Sequence, residues 1–459
     1  MNLFDAVKLK EIPEPIISKA EKPVMLSDET MLERKAKLLA KMQSEKLDVM
    51  LIYGDLEHGS NFEYLTGFLP RFEEALLVVH KNGTAYLLLG NENLNKAGIS
   101  RIKAKAVHVP YFSLPNQPMQ GERSLIDCFE EAGIQKGMQL GVVGWKMFTS
   151  QFNDNTQLFD LPYYIVQALE TLVGRKNLMN RCDLFIGAEG IRTINNANEL
   201  AHYEFGSALA SDGMLAAMNM LAAGVSEMEL GQCLNRYGQR NSVVTIAAAG
   251  ERFVKANLYP TDNQVKLGDK ISLTVGYKGG LSSRSGYALY DETQLTVPYL
   301  DGIAKPYYYA VAAWLENIQL GMSGDAMYQK IEQVLPKHKY HWHLNPGHLC
   351  ADEEWLSSPI FEGSTASLKS GMLLQIDIIP SVEGLGGASC ESGIALADAA
   401  LRNQLKQEYP ALYETFMKRR AYISEVLGIH LHPEVLPMND TVAYYRPLML
   451  NKKLAFVKE

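Results

Sequence analysis

The stretch Gly268–Tyr290, GDKISLTVGYKGGLSSRSGYALY, decides how this chain is read. It has the pattern of two strands joined through glycines, an apolar β pair inside an otherwise ordinary chain. After Asp269 it carries no carboxylate until Asp291. Neutral and basic residues fill the interval, so the pair offers no acidic metal ligand there.

Around this stretch the patterns divide into two halves. A helix is expected from Asp28, with Leu32, Ala36, Leu39 and Met42 on one face. LDVMLIYG reads as a buried strand. ALLVVHKNGTAYLLLG reads as a hairpin turning at Asn82-Gly83, and QLGVVG as another short strand. Strands alternating with helices argue for an α/β layer domain. A second pattern begins near residue 185. The segment from Asn196 reads as one long helix ending at Gly224, and Ser226 with Glu229 forms a capping box for the next. A further helix is expected near 304–321, then short strands and glycines from 340 to 397. His341 and His343 alternate in YHWHL, which reads as one polar face of a strand. The expected domains are 1–183 and 184–459, after an irregular arm over residues 1–28.

Composition excludes several functions. At 459 residues the chain is too long for one core. A net charge of −8 without a basic run leaves no footprint for nucleic acid. No apolar stretch approaches the ~20 residues that span a bilayer. The N-terminus has no apolar segment of the secretory kind. Five scattered cysteines with no CxxC suit a reducing compartment, so a cytoplasmic protein is expected.

Six motifs in order carry a resemblance. NFEYLTGF (61–68) resembles the N-terminal domain of the creatinase and Xaa-Pro peptidase family. IRTINNANELAHYEFGSALASDGM (191–214) resembles the helix that opens that family's catalytic domain. KLGDKISLTVG (266–276), NPGHLC (345–350), SLKSGMLLQIDIIPS (367–381) and CESGIALAD (390–398) resemble its later motifs. The resemblance implies an α/β N-terminal domain, an α+β "pita-bread" catalytic domain and a homodimer. Most such proteins hold two divalent metals with two aspartates, one histidine and two glutamates. Hard oxygen donors and an imidazole suit Mn²⁺, Co²⁺ or Zn²⁺, whose bridging water becomes a nucleophile.

Carried over by position, the first aspartate falls on Thr274 and the second on Arg284 or Ser285. The histidine falls on His348 and the two glutamates on Asp377 and Glu391. Two substrate-side histidines of the family fall on Asn257 and Trp355. Trp355 would close the pocket or supply a stacking wall. Arg71 and Phe72 lie in a segment that, in creatinase-like dimers, reaches the partner's site; a solvated loop arginine is the plain alternative.

His348 is read as a catalytic group, against the plain reading of a hydrogen-bonded histidine in a glycine-rich turn. Asp377, in an apolar strand, and Glu391, on the next, cannot be buried unpaired without large cost or a raised pKa. A guanidinium at Arg284 would answer both by forked hydrogen bonds. Its other role would be to grip a substrate carboxylate.

Three functions stand open. The first is a hydrolase of C–N bonds in small peptide-like or amidino substrates, without the two metals. Its catalytic groups would be His348, Asp377 and Glu391, with Asn257, Arg284, Trp355 and Arg71 binding substrate. The second is an Xaa-Pro dipeptidase or aminopeptidase holding one weak ion at His348, Asp377 and Glu391, which Arg284 would oppose. The third is a silent homologue that binds a peptide or another ligand in the old cleft.

Overall fold

The computed structural model describes residues 3–18, 22–117, 121, 123–255 and 258–459. The chain forms two compact units, Leu26–Thr193 and Met1–Met25 with Ile194–Glu459. The expected division at 183/184 falls short of this one, and the arm groups with the second unit.

In the first unit, strands β1 (Val49–Gly54), β2 (Ala75–His80), β3 (Ala85–Leu89), β4 (Lys105–His108), β5 (Leu140–Val143) and β6 (Leu178–Asn180) form one sheet in the order β4-β3-β2-β1-β5-β6. β1–β2 and β2–β3 are antiparallel, and the outer pairs are parallel. The β2–β3 turn is the expected one: Gly83 takes φ 84° and Thr84 N–H donates to Asn82 Oδ1. Helix α1 (Asp28–Ser44) starts under Ser27, whose hydroxyl accepts from Thr30 N–H. It buries Met31, Arg34, Leu38 and Met42, while Leu32 is exposed. The expected face is therefore displaced: Arg34 turns inward over the Tyr64 ring and donates to Tyr64 O.

The second unit is built on helix α2 (Ala197–Met220), capped reciprocally by Asn196 and Glu199. It ends at Met220 rather than Gly224, whose φ of 89° belongs to the following turn. Against it lies a four-stranded sheet of β7 (Ile246–Ala249), β8 (Lys270–Tyr277), β9 (Gly280–Tyr287) and β12 (Ser389–Glu391), in the order β12-β9-β8-β7. A second sheet joins β10 (His348–Leu349), β11 (Leu373–Gln375), β13 (Gly393–Leu396) and β14 (Val435–Pro437) in chain order. β8 and β9 are the opening stretch, and the glycines explain its turn. A Cβ on Gly279 (φ 91°) would meet Tyr203 O at 2.1 Å, and one on Gly206 would meet Lys278 O at 1.9 Å. Helix and hairpin thus touch backbone to backbone. The core behind them joins Leu209, Met214 and Met218 of α2 to Leu273, Val275 and Tyr277 of β8, with Ile12 and Ile17 of the arm packed alongside.

Two further expectations change. The helix near 304–321 is α3, Lys305–Asn317, entered through a π turn at Leu300–Ala304. YHWHL is no strand. His341 takes φ 49° at the end of the short helix Lys337–Tyr340, where buried Trp342 donates to Leu335 O. Both flanking histidines are exposed.

Candidate active site

Sheet register decides which side chains meet. Ser283 lies opposite Thr274 on one side and Glu391 on the other. Residues directly opposite in antiparallel strands share a face. Thr274, Ser283 and Glu391 are therefore on one face, with Ser285 and Ser389 one step along it. The hydroxyls form a ladder. Thr274 Oγ1 is 2.8 Å from Ser283 Oγ, Ser283 Oγ is 2.9 Å from Ser389 Oγ, and Ser389 Oγ is 3.0 Å from Glu391 Oε1.

The second sheet brings the remaining groups. Gln375 of β11 donates to Leu281 O and accepts from Leu281 N–H, tying β11 to β9. His348 opens β10 opposite Gln375, and Asp377 follows just past the end of β11 rather than within the strand. His348 Nε2 lies 3.8 Å from Asp377 Oδ2 and 3.2 Å from Glu354 Oε1. Its Nδ1 is 3.1 Å from Leu349 O. The Trp355 ring stacks on the imidazole, with centroids 5.2 Å apart and planes at 24°. Asp377 Oδ1 is buried and accepts no hydrogen bond among the described residues.

Arg284 does not bridge the carboxylates. It has the opposite parity, paired with Leu273 and Cys390, and is fully buried on the other side of the sheet. Its N–H groups donate to Tyr444 O (2.9 Å), Ser283 O (2.7 Å), Glu391 O (2.8 Å), Ser392 Oγ (3.3 Å) and Thr441 O. The expected salt bridge is corrected on that ground. With every donor used inside the protein, the guanidinium is also closed to a substrate carboxylate. The side chain across from Thr274 is Ser283, which neither alternative for the second aspartate position named.

Of the remaining candidates, Trp355 touches His348 and is partly exposed. Arg71 belongs to the first unit, its backbone held by Asn93 and its guanidinium over Phe72, a residue at φ 64°. Asn257 lies outside the described residues. Glu354 was missed. The acidic run DEE at 352–354, seven residues or fewer after His348, was the available signal.

Burial raises the proton affinity of both carboxylates. Asp377 is pushed up to about 6 by burial; His348 opposes the shift and Glu354 adds to it. Glu391 is raised well above the usual range by burial and then by Asp377. Burial pulls His348 down, but Glu354 and then Asp377 outweigh it and hold the imidazole above its ordinary value. All three shifts have one sign: the folded protein holds protons that the unfolded chain releases. Stability therefore falls as pH rises, first from about 4 through 6 for Asp377, then above 6.5 for His348. At ~1.4 kcal/mol per tenfold change in proton affinity, Asp377 alone accounts for about 3 kcal/mol. Denaturant midpoints should decline between pH 5 and 8, and less steeply in Asp377→Asn. A parent curve that rises over that range contradicts these assignments.

Residues 34–174, within the first unit, match the family model described as the creatinase/prolidase N-terminal domain. No curated protein matches the chain. Solved structures match it over both units. An Xaa-Pro dipeptidase from Bacillus anthracis is 18% identical with a TM-score of 0.60, covering 81% of this chain and 96% of that one. A prolidase from Thermococcus sibiricus is 16% identical with a TM-score of 0.63, over 82% and 95%. An X-Pro aminopeptidase from Thermotoga maritima is 15% identical with a TM-score of 0.60, over 79% and 95%. The fold is thus a creatinase-like N-terminal domain followed by a pita-bread domain. Among the described residues no helix is long and apolar enough to cross a membrane.

Proposed function

We propose that the His348, Asp377 and Glu391 cluster is a metal-independent active site that hydrolyses a C–N bond in small peptide-like or amidino substrates. One observation carries this reading: a buried imidazole whose Nε2 faces two carboxylates, Glu354 at 3.2 Å and Asp377 at 3.8 Å. Nδ1 faces Leu349 O, while Nε2 lies at ion-pair distance from Glu354 and makes no hydrogen bond of its own, so its proton is left for the leaving nitrogen and His348 serves as general acid. Asp377, ionised above about 6, accepts the proton of the attacking water through its unpartnered Oδ1. Glu391, kept neutral by burial, donates to the oxygen that gains charge at the attacked carbon. The C–O bond forms, the C–N bond breaks, and the proton on Asp377 returns to His348 across the short gap between them.

The donor set supports the metal-free form. Hydroxyls at Thr274, Ser283 and Ser285 are poor substitutes for carboxylate ligands. Among the described residues no group of three or more His, Cys, Asp or Glu is placed to hold an ion. With hydroxyls in place of two carboxylate ligands, the residues do not fit a two-metal centre. The homodimer and the cytoplasmic setting implied by the resemblance and the composition remain parts of this proposal.

The test is an assay of Xaa-Pro dipeptides and small amidino compounds with and without chelator. Turnover should persist in chelator and fall about a hundredfold in His348→Asn. Turnover lost in chelator and restored by Mn²⁺ would favour the metallopeptidase. Substrate binding without turnover would favour the silent binding homologue.

A further inference from the structure

The imidazole of His348 is held by a single short loop. Leu349 N–H donates to Ser357 O (2.7 Å) and Leu356 N–H returns to Leu349 O (2.9 Å), so the chain folds back on its own strand. Within the loop Ala351 N–H donates to Glu353 O, while Ala351 O accepts from Gly279 N–H. Asp352, nearly buried, is pinned by the Tyr203 hydroxyl at 3.0 Å and faces Lys278 Nζ at 3.4 Å. The base is thus fixed to helix α2 and to the β8–β9 turn. The next two residues reach the ring from different directions. Glu354 meets its edge at Nε2, and Trp355 covers its face. Leu349 O takes the remaining nitrogen.

We propose that Glu354 is the positioning residue of His348, with Trp355 as the wall that fixes the ring plane. This rests on the reading of His348 as the working acid. A free imidazole rotates about χ2 and can carry its proton on either nitrogen. A carboxylate 3.2 Å from Nε2, at ion-pair distance without a completed hydrogen bond, and a carbonyl at Nδ1 favour the one ring orientation that keeps a protonated edge toward Glu354. An indole on the face removes the remaining tilt. The two residues are neighbours in sequence because successive side chains of one loop serve edge and face. Glu354 stays partly open to solvent at 19% side-chain exposure, so its removal leaves no buried hole.

The test uses Glu354→Leu, Glu354→Asp, Trp355→Ala and Trp355→Phe in the full-length protein with labelled histidine. Glu354→Leu should lower kcat by ~10–100-fold with KM little changed, as for other oriented imidazoles. Its melting temperature should match the parent. Its His348 ring nitrogen signals should shift to those of a single-donor imidazole. Trp355→Phe should keep the parent signals and Trp355→Ala should broaden them. Glu354→Asp should recover part of both kcat and the parent spectrum. Parent-like ring signals and kcat in Glu354→Leu overturn the proposal, as does an activity loss that tracks only a lowered melting temperature. The ring signals need no substrate. A protein with no turnover at all would end the hydrolase reading while still deciding whether Glu354 holds the ring.

Discussion

Arg284→Ala is expected to destabilise the second unit by about 3–5 kcal/mol, the range for breaking a buried charged group away from its partners. The reason is geometric. The side chain is fully buried and its donors are matched almost wholly by backbone oxygens: Ser283, Glu391, Thr441 and Tyr444. These oxygens come from β9, β12 and the loop at 441–444, so one guanidinium ties three segments together. Truncation leaves several carbonyls buried without a donor, at roughly 1–3 kcal/mol each before relaxation, and opens a void the size of an arginine. At about 2–4 °C per kcal/mol for a unit of this size, the melt should drop by about 10 °C. Arg284→Lys should recover little, because an ammonium has three donors on a flexible stem and cannot reach the same spread of acceptors.

A second variant separates this account from the salt bridge that the motif positions suggested. If Arg284 neutralised Asp377 and Glu391, removing those charges would relieve the loss. Arg284→Ala with Glu391→Gln should instead melt no higher than Arg284→Ala alone. A parent-like melt for Arg284→Ala, or rescue by Glu391→Gln, would reject the carbonyl anchor.

The error about Arg284 shows where reading by pattern stops. The two strands, the glycine turn and the capping box at Ser226 each rest on neighbours a few residues apart, and all stand in the structure. Face is different, because a shift of one residue sends every side chain of a strand to the other side. In LSSRSG the choice among Ser283, Arg284 and Ser285 depends on which residue lies across from Thr274. That is fixed by the tight Gly279-Gly280 turn against Tyr203, seventy or more residues upstream. Glu354 escaped for a related reason: its role exists only because the chain turns back at Leu349–Ser357. His341 and His343 misled because alternating burial around Trp342 looks like a strand while the backbone there is a left-handed turn.

The same register yields the sharpest test of the vacated metal positions. Thr274→Asp with Ser283→Asp should place two new carboxylates where the hydroxyls now lie 2.8 Å apart, on the face that carries Glu391. In plain buffer the double variant should be less stable by several kcal/mol. Buried like charges at that spacing cannot all stay ionised, and Asp377 and Glu391 are already pressed toward their neutral forms by burial. With Mn²⁺ the balance reverses. Four carboxylates and the His348 imidazole make a hard-oxygen and nitrogen donor set suited to that ion. An ion bound only by the folded state adds about 2.7 kcal/mol at a hundred times its Kd. The melt should therefore recover by several degrees in Mn²⁺, while the parent and a Thr274→Asn, Ser283→Asn control should not respond. Thr274→Asp with Ser285→Asp is the discriminating partner. Ser285 faces Ser272 and Ser389, one pair further along the same face, so its carboxylate should add less to the set. A larger Mn²⁺ response from the Ser285 variant would mean that the ion position follows spacing along the chain, and the assignment of Ser283 across from Thr274 would fall.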